Sequence, residues 1–130
     1  MSIYRQARVL ARVLEELLLY DLVMRIWGFA GVHRWARRRA CGRTRGEPRQ
    51  VEAAVVGAVT RVGSFYWKPI RCLERSVVTA RVLARYGIPA EVVIGYRPSP
   101  FFSHAWVEVN GRIANDLQGY RQSLRILERM

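Results

Sequence analysis

Three residues in the C-terminal half have the types and the chain order of a nucleophilic site: Cys72, His104 and Asp116. A cysteine attacks a carbonyl once it is a thiolate, a histidine takes and returns the proton, and a carboxylate holds the imidazole in the tautomer that does so. Cys72 opens a segment of helical periodicity. Its sulfur is therefore expected beside unpaired backbone N–H groups and the positive end of a helix dipole, both of which favour thiolate over thiol. His104 lies on SHAWVEV (103–109), where His104, Trp106 and Glu108 alternate with Ala105, Val107 and Val109. Such a strand is a rigid support from which to aim an imidazole. Asp116 lies on the segment that returns from it.

Asn110-Gly111 marks the hairpin between these last two elements. A strict two-residue turn would pair Val109 with Arg112, set His104 opposite Leu117 and turn Asp116 to the other face of the sheet. A three-residue loop, Val109 to Gly111 with the glycine in a left-handed bulge, instead pairs Glu108 with Arg112 and sets His104 directly opposite Asp116. The second register is expected. It carries a Glu108–Arg112 cross-strand ion pair worth a few tenths to about 1 kcal/mol. Pairing of Val109 with Arg112 would rule this arrangement out.

The remaining elements follow from periodicity. Apolar residues recur at helical spacing from Ile3 to Trp27, with Gly28 and Gly31 positioned to end that helix. GRTRGEPRQ (42–50) has the composition of an exposed loop. Val51 to about Val62 admits helix or strand by propensity, and the spacing of Val55, Val59 and Val62 favours helix. Leu73, Val77, Ala80 and Ala84 form the inward stripe of a helix from Cys72 to Tyr86, with Arg75, Arg81 and Arg85 off it and Gly87 as C-cap. AEVVIGY (90–96) reads as a first strand, 103–109 as a second, Arg112 to Asp116 as a third, and Tyr120 to Arg129 as a short closing helix. Helices first and strands afterwards indicate an α+β domain.

The run Cys72 to Asp116 resembles the transglutaminase-like cysteine protease domain of lasso-peptide biosynthesis, the leader peptidase that matures the lasso precursor. The likeness is carried by Cys-Leu-x-Arg-Ser at 72–76, Tyr-Gly-Ile-Pro-Ala at 86–90, Ile94-Gly95, His-Ala-Trp-Val-Glu at 104–108 and Asn115-Asp116. It covers about a third of the chain. It implies a transglutaminase- or papain-like fold, with the sheet packed on the nucleophile helix, and Cys72 as nucleophile, His104 as general base and then acid, and Asp116 as the orienting carboxylate. It further implies no cofactor, and cleavage of a leader so that a separate ATP-dependent, asparagine-synthetase-like cyclase can close the macrolactam. Residues 1–50 are expected as a helical extension with a loop and 51–130 as the catalytic core of a single domain. The first 50 residues are too short and too helical for a winged-helix leader-recognition domain, so the stand-alone protease is expected, with a separate leader-recognition protein and the precursor as partners and the cyclase as a further candidate.

Around the site, Trp67, Trp106 and Phe101 are candidates for the substrate walls, although a tryptophan at alternating spacing is more often core. By itself Cys72 would more often be a buried structural thiol, and His104 a satisfied strand histidine. Cys41, amid arginines, has no His or carboxylate spaced to assist it, and His33 reads as surface. Two cysteines and two histidines without paired spacing disfavour a metal.

Composition narrows the classes. The chain has 130 residues, 51% hydrophobic and 25% charged, which excludes wholesale disorder and fits one domain. The net charge of +12 is almost all arginine, since Lys68 is the single lysine. That charge keeps a nucleic-acid-binding module as an alternative, with Arg37 to Arg39, Arg43 and Arg45 as its patch. No helix-turn-helix or aromatic RNA-binding signature accompanies them. A second alternative is a catalytically silent transglutaminase-like interaction domain. No signal peptide or apolar run of about 20 residues is present, and two cysteines 31 positions apart do not make a disulfide framework, so no membrane association and a cytoplasmic setting are expected.

Overall fold

The computed structural model of the chain describes residues 3–38, 42–43, 46–115 and 124–130. Three helices precede a sheet: α1 (Ile3–Arg37), α2 (Pro48–Phe65), α3 (Cys72–Arg85), then β1 (Glu91–Pro98), β2 (Phe101–Val109), β3 (Arg112–Ile113) and β4 (Arg125–Arg129). The sheet is antiparallel with strand order β3-β2-β1-β4. The fold is α+β, as the order of periodicities predicts.

Helix α3 is the centre of the molecule. Val77, Val78, Val82 and Leu83 are fully buried between α1 and α2 on one side and β1 and β2 on the other. Burying each such side chain contributes about 1.5–3 kcal/mol. Arg81 is buried as well rather than lying off the inward stripe. Its guanidinium reaches the fully buried Glu16 at 2.7 Å, donates to the carbonyls of Trp35 (2.7 Å) and Arg38 (2.6 Å), and lies 4.0 Å over the Trp35 ring. A buried arginine is tolerable on those terms because its charge is paired and it adds donors to the carbonyls at the end of α1, where the Trp35 carbonyl also accepts from the Arg38 N–H at 3.2 Å.

Helix α1 does not end at Gly28. Gly28 adopts φ 68°, breaking the helix geometry at one residue, and helical structure resumes to Arg37. Val9, Val13, Leu17, Tyr20 and Val23 face the core, whereas Leu14, Leu18, Leu22 and Ile26 remain exposed. The apolar face of this helix is thus wider than the surface it buries. Helix α2 starts earlier than its valine spacing indicates: Glu47 caps it by accepting from Gln50 N–H at 3.0 Å, and Pro48 occupies the first turn.

Two strand expectations are overturned. Val109 pairs with Arg112 and Glu108 with Ile113, so the hairpin is the strict two-residue turn. Asn110 (φ 51°) and Gly111 (φ 77°) both take positive φ, the conformation that an Asn-Gly pair adopts most readily and whose twist matches the flanking strands. The expected Glu108–Arg112 pair is absent in that register. Arg112 instead grips Glu52 of α2 with two hydrogen bonds (2.7 and 2.5 Å). Register does not carry on to His104 either, because β3 stops at Ile113. The other correction is at the C-terminus, where Arg125–Arg129 is a strand on the free edge of β1 rather than a helix. Five residues are too few for an independent helix, and the unpaired edge offers backbone partners.

Candidate functional site

Cys72 is the first residue of α3. The residue before it, Arg71, is extended (φ −86°, ψ 166°) and contributes no side-chain cap, so the first turn keeps its amide donors. The segment leading to it is pinned to α1 by a polar network. Tyr66 donates its hydroxyl to Asp21 at 2.5 Å, and Lys68 bridges Asp21 (3.0 Å) and the buried Glu74 (2.8 Å). Burial pushes Glu74 above the usual carboxylate range against the pull of Lys68. Burial acts upward on Asp21 too, but hydrogen bonds from Tyr66 and Lys68 outweigh it and hold that carboxyl low. Burial and the Asp21 hydrogen bond raise the Tyr66 phenol to about 12, and burial with nearby Glu74 does the same for Tyr20. Sequence spacing did not point to this network, whose members lie on three separate segments.

His104 is held from the sheet side. On β2, Val107 and Val109 belong to the core shared with the helices, and Phe102, His104 and Trp106 lie on the opposite face. The three rings form a ladder: Phe102 and His104 stack at 6.1 Å between centroids, His104 and Trp106 at 6.4 Å. Trp106 has no exposed surface, donates Nε1–H to Glu108 at 2.9 Å, and lies across Gly95 on β1, where a Cβ would come within 2.6 Å of its ring. Glu108 also accepts from Arg129 of β4 at 3.1 Å. The glycine of Ile94-Gly95 is therefore required by the tryptophan of His-Ala-Trp.

One open pocket of about 480 Å³ lies between α3 and the sheet, and its sheet residues Ile94, Tyr96, Ser103 and Ala105 belong to the face that meets the helices, opposite the face that carries the His104 ring. Cys72 and His104 line the pocket together with Tyr96, Phe101, Phe29 and Leu127. Phe29 follows the break at Gly28, and the second part of α1 is tied to β4 by a His33–Glu128 contact. The break in α1 thus brings an aromatic to the pocket wall, and His33 has a structural partner rather than a free surface position.

Asp116 lies outside the described residues, as does Cys41. Its neighbour Asn115 is described and does two things. Its Oδ1 accepts from the N–H of Val107 at 2.8 Å, taking the position of a ladder carbonyl, and its amide approaches Ser76 Oγ of α3 at 3.5 Å. Asn115 thereby ends β3 and links the histidine strand to the cysteine helix. Of the expected wall residues, Phe101 (76% exposed) lines the pocket. Trp106, fully buried, offers substrate no surface and serves as a support for His104. Trp67 (75% exposed) lines an adjoining groove. Among the described residues no group of three or more His, Cys, Asp or Glu could hold a metal ion, and no helix is long and apolar enough to cross a membrane.

A cysteine at a helix start and a histidine on a strand thus line one pocket of an α+β domain. The family model described as Transglutaminase-like superfamily matches residues 16–129. The chain belongs to the transglutaminase-like superfamily. The chain is also 43% identical over 56 residues to the Microcin J25-processing protein McjB of Escherichia coli, a segment covering 43% of this chain and 27% of that protein. The chain thus matches about a quarter of the length of that relative. No solved structure matches it significantly. The superfamily match takes in α2, α3, the sheet and α1 from Glu16 on, so the supports on both sides of the pocket fall within the matched region.

Proposed function

We propose that this transglutaminase-like chain is a cysteine peptidase that removes the leader from a lasso-peptide precursor. The observation that carries the reading is the pocket shared by Cys72 and His104, and the likeness to a protein named for processing microcin J25 supports the substrate class. In the proposed reaction the Cys72 thiolate attacks the carbonyl at the end of the leader. The C–N bond then breaks, with His104 donating a proton to the departing amine of the core peptide. Water, deprotonated by His104, hydrolyses the thioester and frees the leader and the thiol. Asp116 orients the imidazole, and the backbone N–H of Cys72 is one oxyanion donor. Trp67 and Phe101 line the substrate path. No cofactor takes part.

The peptidase works in the cytoplasm beside a separate leader-recognition protein, which raises the effective concentration of the precursor. The asparagine-synthetase-like cyclase acts on the freed amine and is a further partner. The test is to mix the protein, the recognition protein and the precursor, and to follow the precursor by mass. Release of the intact leader by the wild type and none by Cys72→Ala is expected. An inactive wild type, or an undiminished Cys72→Ala, overturns the reading.

A further inference from the structure

A second groove, of about 910 Å³, adjoins the site. Leu73, next to Cys72, lines both this groove and the pocket that holds His104. Its apolar wall is Leu18 and Leu22 of α1 with Trp67, which are 52%, 50% and 75% exposed. These are the leucines that the broad apolar face of α1 leaves out of the core. Its two carboxylates, Asp21 and Glu74, are turned to Lys68. Among the described residues, Arg25 and Arg71 make no ion pair, and both stand exposed at its edge. The groove is therefore greasy inside and cationic at the rim, within the size range of ligand sites.

We propose that this groove extends the active cleft and takes an extended segment of the substrate peptide, apolar side chains inward, with an acidic residue within about four positions of the scissile bond. The inference rests on the peptidase reading above and adds to it the chemistry of the sequence that is read. An extended chain advances about 3.3 Å per residue, so three or four residues span about 10–13 Å of surface. A peptide whose scissile carbonyl is at Cys72 passes over Leu73 into the groove. There its apolar side chains meet Leu18, Leu22 and Trp67, and a carboxylate can be taken in two parallel hydrogen bonds by a guanidinium. The net charge of +12 acquires a local use in these two arginines.

The experiment measures binding, not turnover. Fluorescein-labelled eight-residue peptides alternating leucine with glutamate, or leucine with lysine, are titrated into the Cys72→Ala protein at low salt and followed by anisotropy. The glutamate peptide is expected to bind roughly tenfold tighter, a ratio that two exposed charge contacts can supply. Arg25→Glu should reduce that preference to below about threefold, and Trp67→Ala should weaken both peptides by about fivefold. Arg25 and Trp67 are exposed, so neither change disturbs the core. Equal affinities for the two peptides, no saturable binding, or unchanged binding by both variants overturns the groove. Loss of affinity for the recognition protein instead of the peptide, in Trp67→Ala, assigns the surface to that partner and overturns it too. Alkylation of Cys72 by iodoacetamide in the wild type separates the two claims. Fast alkylation with unselective peptide binding removes the groove alone, whereas alkylation no faster than a free thiol removes the peptidase reading, whatever the peptides do.

Discussion

Gly95→Ala adds one methyl group on the residue paired with His104 across β1 and β2, alters no reacting group, and tests how His104 is held. The new Cβ would lie 2.6 Å from Trp106 Cη2, 2.8 Å from Cζ3 and 3.0 Å from Leu124 Cβ. Ordinary contact begins near 3.4 Å, so the indole must retreat by roughly 0.8 Å, the difference between 3.4 and 2.6. It has little room to do so. Trp106 is fully buried, its Nε1 is tied to Glu108 at 2.9 Å, and the imidazole of His104 is stacked beside it at 6.4 Å. Overpacking of this kind costs about 1–3 kcal/mol. For a chain of this length that lowers the melting temperature by about 3–5 °C per kcal/mol.

The effect on turnover is expected to be larger than the effect on folding. Displacing a catalytic group by about 1 Å can cost up to about 100-fold in rate, while a domain with about 5–15 kcal/mol of stability stays folded after losing 1–3. Gly95→Ala should therefore be folded at room temperature, melt several degrees lower, and cleave precursor about 10- to 100-fold more slowly in single turnover. Trp106→Phe in the same chain shortens the ring that meets the methyl and should recover part of both losses. A Gly95→Ala protein that melts within about 1 °C of wild type and cleaves at full rate would show that Trp106 is not rigidly seated, and the account of His104 positioning would fall with it.

Arg81→Met leaves Glu16 buried with only Arg85 to answer its charge, and removes a side-chain donor from each of the carbonyls of Trp35 and Arg38. A loss of about 3–5 kcal/mol is expected in chemical denaturation at an unchanged slope. Asn115→Ala strips the acceptor from the Val107 N–H and the link to Ser76, and should lower stability by about 1–3 kcal/mol and slow cleavage together. Burial raises the folded-state pKa values of Tyr20 and Tyr66 to about 12 from the ordinary phenol value of 10.0, so the unfolded chain releases these protons first. Stability is fully present below pH 10, falls as pH rises from 10 through 12, and should fall less steeply in Tyr20→Phe, as read by denaturation at a series of alkaline pH values.

The parts of the fold that depend on local pattern could be read from sequence. Cys72 at a helix start, the alternation around His104 and the α+β order all follow from periodicity and are seen in the structure. What could not be read depends on contacts between distant segments. Arg81 appears polar on a helical wheel, and only the arrival of Glu16 and the end of α1 makes its burial possible. Arg125–Arg129 is weakly committed locally and takes its state from the free edge of β1. The hairpin register was readable in principle, since Asn-Gly favours two positive φ values. A role for Asp116 opposite His104 favours the longer loop instead, but the strand that would carry that register stops at Ile113 and Asn115 leaves the ladder.

The two sides of the pocket are supported by separate machinery. Tyr66, Asp21, Lys68 and Glu74 hold the start of α3, and Phe102, Trp106, Glu108 and Arg129 hold His104. No residue belongs to both sets, and the bridge described between them is the Asn115 contact with Val107 and Ser76. Substitutions in different sets should then act independently, because sites without shared partners add to within about 0.3–0.5 kcal/mol. Asp21→Asn with Trp106→Phe is expected to lose activity as the product of the single losses. Adding Asn115→Ala to either single variant should depart from that product, since it loosens the part that both sides lean on. Strong coupling between Asp21 and Trp106, with none to Asn115, would mean that the pocket is one continuous unit and that its bridge lies elsewhere.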